Sequence, residues 1–546
     1  NIPRFAPANH PPEGGTRTIR EPQVREYSRT APWNHEVETS TMPEVNLALE
    51  PSPAGMGAPL ISPEDAAFLR ELAEATLEAS RVRPGETVAG IGPNSSGGTL
   101  IRPGGRNAYP AYWIRDYAMS LESGVVPLEE QRHALTVAAA HQVDKETVLP
   151  TGSRLPAGSI PDHISFGGVP IYFPGILEDY EKQGGEQWGL LPCLDDQYFF
   201  IHMARQFQLA AREDAFLRET HGGKTLFSRL EAAYAMPPSD PGTGLVRVGT
   251  ENRGVNFGFF DTVTHTGDLL FCSVLKHRAA MEMADMATPA GQPEREAFYR
   301  TEAARIADAL PRVFQRPDGW FAASTGTSAQ PDVWGTAFAV WTGAVTGEPA
   351  RRACAALAKA LRDGTIAWEG GIRHVPQDLD YSAKAVWEKC LAARNRYQNG
   401  AYWDTPVGWV AHAAAQTDPE AAAALVRDYL RQLRADDFRK GDAFGAPWEC
   451  RHPEDNHRQN PVYLTSVTAP LAVFLSDTPP LLRNSCPRGL QTGCCEDRRL
   501  SGHEMAANDL EVLSLATACR LLSAPHPERG NGRKRKSCAS RRDAGH

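Results

Sequence analysis

The feature that most restricts this chain is a recurrence. Between residues 62 and 476, apolar residues fall at helical spacing about a dozen times, while strand-like alternation stays short and scattered. The first helix is predicted from Ser62-Pro63-Glu64-Asp65, an N-cap followed by proline at the first helical position and early acids. Phe68, Leu69, Leu72 and Leu77 then follow at helical spacing. Helical patterns continue through Met119 and Leu121, over 128–142, and from the capping pair Asp195-Asp196 through Phe199, Met203 and Phe207. Others cover 262–286, 293–310, 332–342, 349–363, 379–393, 405–416, 417–433 and 461–475. No repeat of roughly 30 to 45 residues runs through them, which disfavours a superhelical array. About twelve helices joined by alternately short and long loops predict a mainly α fold. The expected form is an (α/α)6 toroid, or six-hairpin barrel, with inner helices around a cavity and long loops at its rim.

This reading divides the chain into three parts. Residues 1–61 carry ten prolines in their first sixty positions and little periodicity, and are expected to form an extended arm. Residues 62–476 form the toroid. Residues 477–546, with a short helical pattern over 511–522 and a basic run over 529–542, are expected to be largely irregular or disordered. A formal net charge of -9 argues against a nucleic-acid surface. No apolar run approaches the roughly 20 residues that span a bilayer, so the expectation is a soluble protein with no membrane partner. The ten cysteines show no zinc-ligand spacing. The chain opens on Asn1 with neither Met nor a signal-peptide pattern, as a processed, trimmed or partial sequence would. Compartment and oligomeric state stay open.

Function is sought where aromatic, amide and charged residues crowd around glycine and proline. In the stretch Asn395 to Trp409, Tyr397, Tyr402, Trp403 and Trp409 stand among Arg396, Gln398, Asn399 and Asp404. Such a mixture suits a sugar, whose C–H faces stack on aromatic rings while its hydroxyls need fixed donors and acceptors. Tyr112, Trp113, Arg115 and Asp116 form a second cluster of this kind. The long loop Asp162 to Gly175 contributes His163 as a base or substrate contact. The glycine-rich run Gly92 to Gly98 lacks the Gly-Lys-Ser/Thr of a phosphate loop. Two acids stand apart. Asp261 follows the aromatic, glycine-containing Gly254 to Phe260, where burial would raise its pKa, although capping of a following helix is an equal reading. Glu449 lies in Phe444 to Asn456 with a rival, Glu454, close behind. His452, Glu454 and His457 lack a third nearby histidine and make a weak metal set, so no metal or cofactor is expected.

The order of these motifs resembles the six-hairpin glycoside hydrolases, the group that includes trehalase, processing alpha-glucosidase and glucoamylase. Tyr112-Trp113-Ile114-Arg115-Asp116 looks like the early aromatic and Arg-Asp motif that contacts the terminal sugar. Tyr397 to Trp403 looks like the family's aromatic Asn-Gly loop, and Glu449, four residues before Pro453, like its Glu-x-x-x-Pro loop. The resemblance implies a carbohydrate substrate, Asp261 as general acid and Glu449 as general base. It also implies a binding set of Tyr112, Trp113, Arg115, Asp116, His163, Asn399, Tyr402 and Trp403. The implied activity is an inverting, exo-acting glycosidase. A lyase or epimerase using His163 or His265 with Tyr402, and a non-catalytic sugar-binding protein, are the alternatives. Asp404 and Cys450-Arg451-His452 depart from the family pattern.

Overall fold

A computed structural model of the chain describes residues 59–476 apart from 107, 175–179, 187, 254–259 and 383–388. The expected arm and C-terminal extension therefore lie outside the described residues, save for the last three positions of the arm. Twelve α-helices of four residues or more are described. They are α1 (Pro63–Ser80), α2 (Ile114–Ser120), α3 (Leu128–Ala140), α4 (Asp196–Ala211), α5 (Leu226–Ala235) and α6 (Leu270–Ala287). The rest are α7 (Pro293–Phe314), α8 (Val333–Trp341), α9 (Gly347–Arg362), α10 (Val407–Ala415), α11 (Pro419–Ala435) and α12 (Thr465–Phe474).

The even-numbered helices form a closed ring. Helix α2 packs on α4, α4 on α6, α6 on α8, α8 on α10, α10 on α12, and α12 returns to α2. A cavity on the ring axis is lined by all six, through Met119, Phe199, Phe271, Phe338, Trp409 and Ala469 among others, with the polar Glu122, His202 and Arg278 beside them. The odd-numbered helices lie outside, α3 on α4, α7 on α6, α9 on α8 and α10, and α11 on α9 and α10. This is the (α/α)6 toroid.

Sequence composition explains which helix goes where. Helices α8 and α10 are apolar on nearly every face and all but two of their residues are buried, as a helix enclosed on all sides requires. Helices α9 and α11 carry one apolar stripe, Ala353, Leu357 and Ala360 in the first and Leu425, Tyr429 and Leu433 in the second. Each turns its charged face outward. Glycine sets the closest approach within the ring. A Cβ on Gly408 of α10 would come within 2.8 Å of Val473 of α12, and one on Gly335 of α8 within 2.7 Å of Leu270 of α6.

Four points of the sequence reading are corrected. The pattern over 262–286 becomes helical only at Leu270, because Val263–Thr264 is an edge strand paired with Lys389–Cys390. Its partner, Lys389–Cys390, occupies part of the expected helix over 379–393, whose described residues contain no helix. Helix α5, capped by Thr225, was not foreseen. Finally, Asp195 makes no side-chain cap on α4; its carboxylate is engaged elsewhere.

Candidate active site

The segments that lead into the inner helices gather at one end of the ring. There a pocket is lined by Tyr109, Trp113, Arg115, Asp116, Pro174, Asp261, Tyr397 and Tyr463. These residues are far apart in sequence and meet because each lies just ahead of, or in the first turn of, an inner helix or on a loop beside one.

Three carboxyl groups serve this pocket. Asp116 Oδ1 accepts a hydrogen bond of 2.5 Å from the Tyr463 hydroxyl. Burial raises its pKa to about 7, against the pull of that bond and of Arg115. Asp261 accepts from the Gln398 side-chain amide. Burial raises its pKa too, while Arg115 and Gln398 pull it back. Glu449 is fully buried. Its Oε1 accepts from the Tyr109 hydroxyl, and its Oε2 accepts from Asn460 at 2.6 Å and Gln459 at 3.2 Å. Burial pushes Glu449 up to about 8, the bonds from Tyr109 and Asn460 oppose this, and the charges of Asp116 and Asp261 add to it. Glu449 feels both of the other acids, so it does not ionise independently of them.

Around the acids stand aromatic walls. Tyr109 meets Trp113 edge-on at 4.9 Å, and Tyr109 lies 5.9 Å from Tyr463. Burial holds the hydroxyls of Tyr109, Tyr397 and Tyr463 well above their ordinary pKa, so they remain neutral donors. Tyr397 has φ of 47°, Asn460 46° and Val462 58°. Left-handed backbone at non-glycine residues is costly, and here it surrounds the residues that hold Glu449 and wall the pocket.

Of the residues singled out from sequence, Trp113, Arg115, Asp116 and Asp261 line the pocket, and Glu449 joins it through Tyr109. The others stand behind. Tyr112 is buried against Tyr117, and His163 is buried behind Trp113 with its ring stacked at 4.4 Å. Asn399 ties its own loop together, accepting from the Tyr381 amide and donating to the Ala392 carbonyl. Tyr402 accepts from Gln377 and stacks on His452. Trp403 is buried and donates to the Tyr397 carbonyl, bracing a wall residue. Glu454 lies at the surface, bonded to Asn395 and near Arg396. The two departures from the family pattern prove to be partners, since Arg451 and Asp404 form a buried ion pair at 2.7 Å.

Sequence reasoning did not single out Tyr109, Tyr397 and Tyr463 as walls, or Asn460 as a partner of Glu449. Tyr397 carried a signal, as it lies in the aromatic Asn-Gly stretch; Tyr463 and Asn460 sit in an unremarkable lead-in to α12. Asp162, Cys193 and Asp196 bring ligand-type atoms within 4.8 Å of one another. Arg115 already donates to Asp162 and Asp196, and burial raises the Cys193 thiol well above its ordinary range. A cation there would face a guanidinium and an un-ionised thiol, so the cluster does not suit a metal.

No protein-family model matches the sequence, and no curated protein does. Among solved structures the chain is similar to a rhamnosidase from Klebsiella oxytoca with rhamnose bound, at 14% identity and a TM-score of 0.47, over 76% of this chain and 64% of that one. It is also similar to a GH63 mannosylglycerate hydrolase from Thermus thermophilus in complex with glucose, at 14% identity and a TM-score of 0.45, over 74% of this chain and 99% of that one. A GH78 family rhamnosidase of Bacillus sp. GL1 aligns at 11% identity and a TM-score of 0.46, over 76% of this chain and 35% of that one. The chain thus spans less than two thirds of the length of both rhamnosidases.

Proposed function

We propose that this protein is a glycoside hydrolase, inverting and exo-acting, with Asp261 as general acid and Glu449 as general base. The observation that carries the reading is the coupling of Asp261 and Glu449 through one aromatic-walled pocket, each with a raised pKa and each held by amide donors. Glycosidic cleavage by inversion requires a protonated carboxyl at the leaving oxygen and an ionised one that activates water on the opposite face. Trp113, Tyr109 and Tyr463 supply faces for a sugar ring, and Asp116 with Arg115 supplies polar contacts. The motif resemblance read from sequence supports the same assignment. Among the described residues no helix is long and apolar enough to cross a membrane.

One observation favours exchanged roles within the same pair. Glu449 holds its proton up to about 8, whereas Arg115 and Gln398 oppose the rise at Asp261. Leaving-group chemistry separates the two. A variant lacking the acid keeps activity on glycosides with activated leaving groups, which need no protonation, while a variant lacking the base is rescued by azide. Proton NMR of the released sugar, for wild type, Asp261→Asn and Glu449→Gln on alpha- and beta-linked panels, tests the whole reading. The expected result is an inverted anomer from wild type, with Asp261→Asn active only on activated substrates. Retention of configuration, or an unsaturated or epimerised product, would refute it.

A further inference from the structure

Behind the pocket wall lies a cluster that the catalytic pair does not use. Arg115 is clasped by three buried aspartates. Its Nη1 donates to Asp162 Oδ1 at 2.5 Å, its Nε to Asp195 Oδ2 at 2.9 Å, and its Nη2 to Asp196 Oδ2 at 3.3 Å. Asp162 is the one that reaches two ways. Its second oxygen, Oδ2, accepts from His163 Nδ1 at 2.7 Å. The His163 ring in turn stacks on Trp113, 19° from parallel. Asp162 is fully buried and does not line the pocket, yet both groups it touches bear on the lining: Arg115 directly, and His163 through Trp113.

We propose that Asp162 is a positioning residue for the reaction at this pocket, one carboxylate whose two oxygens fix the cation facing Asp261 and the aromatic wall beside it. This rests on the reading of Asp261 as the general acid. The geometry asks for a carboxylate and no other group. Both neighbours present N–H, so both oxygens must accept, which an amide side chain cannot do. The electrostatics agree. Burial alone would raise Asp162, but Arg115 and His163 hold it below the usual carboxylate range, so its charge is permanent at neutral pH. Cys193 adds a third donor, its Sγ lying 3.3 Å from Oδ1. Burial leaves Asp196 well above the usual range and raises Asp195, so Asp162 is the dependable anion of the three.

The charge of Asp162 reaches Asp261, whose proton it favours, while Arg115 opposes it. From other elements Asp261 is faced by Gln398 and Tyr397 and interacts with Cys390 and Glu449. Asp162 is faced by Arg115, His163, Cys193, Asp195 and Asp196, and its charge also bears on Asp116. Removing the Asp162 charge leaves Arg115 to act on Asp261 with less opposition, so Asp261 gives up its proton at lower pH.

The test compares pH profiles of kcat/KM for wild type, Asp162→Asn and His163→Gln. In Asp162→Asn the limb set by Asp261 is expected to move down by about one unit and KM to rise severalfold. His163→Gln keeps the charge but loses the stack on Trp113, so KM rises and the limb stays. An Asp162→Asn limb that overlays wild type overturns the proposal. Should Asp162→Asn not fold, Asp162→Glu keeps the charge on a longer arm; a limb in place with raised KM supports the proposal, and an unchanged KM overturns it. Carbon-13 NMR of aspartate-labelled, substrate-free protein, assigned with Asp261→Asn, reads the Asp261 midpoint without turnover. A midpoint that moves down in Asp162→Asn upholds the link even if no glycoside is cleaved, in which case the hydrolase reading alone fails; an unmoved midpoint sinks the link itself.

Discussion

Replacing Glu449 by glutamine should stabilise the protein while destroying its activity. Glu449 is raised from an ordinary 4.5 to about 8. A folded pKa above the unfolded one means that the unfolded chain gives up this proton first, so folding loses stability as pH rises through the interval between the two. At about 1.36 kcal/mol per unit, the cost is under about 1 kcal/mol at pH 5, about 3 at pH 7 and about 4 at pH 8. Glutamine is isosteric and uncharged. Its oxygen still accepts from Asn460 and Gln459, but the Tyr109 hydroxyl loses its carboxylate acceptor, at about 1 to 2 kcal/mol. The expected gain is therefore about 3 kcal/mol at pH 8 and none at pH 5. With an unfolding entropy of about 2 cal/mol/K per residue, a folded body of this size gains about 3 °C at pH 8. Thermal unfolding of wild type and Glu449→Gln by circular dichroism at pH 5 and pH 8 reads this directly. A variant less stable than wild type at pH 8, or an equal difference at both pH values, would refute the argument that the buried carboxyl is held at an energetic cost.

Asn460→Gly removes the 2.6 Å donor to Glu449 at a position whose φ of 46° suits glycine. Glu449 then holds its proton more tightly, and the limb of the kcat/KM profile set by Glu449 should move to higher pH by about one unit. Tyr463→Phe leaves Asp116 without its donor, so the Asp116 pKa, already about 7, rises further; a drop in kcat/KM of about tenfold or more with folding intact is expected from steady-state kinetics. Arg451→Met or Asp404→Leu alone strands a buried charge and should cost about 3 to 5 kcal/mol, whereas the double variant should recover most of it in urea unfolding. Trp334→Ala empties a fully buried site packed on His374 and Trp403 and should cost about 3 to 5 kcal/mol by the same method.

By itself, the sequence determined the architecture. Uninterrupted apolar helices such as α8 and α10 can only be enclosed, striped ones such as α9 and α11 can only lie outside, and alternating the two along one chain leaves a ring of six inside six. It also marked the ends of that ring, because aromatic, amide and acidic residues cluster only where loops meet inner helices. What it did not decide is which of those residues touch a ligand. Trp113 and Tyr112 are neighbours in one strand, yet strand alternation sends one to the pocket and the other into the core. Asp195 reads as a helix cap, but Arg115, eighty positions earlier, takes its carboxylate instead. Asp404 and Arg451 look like two separate oddities until folding pairs them. Local pattern reports which face is apolar and where helices begin; the partners of a buried charge come from distant segments, and only the closed ring brings them within reach.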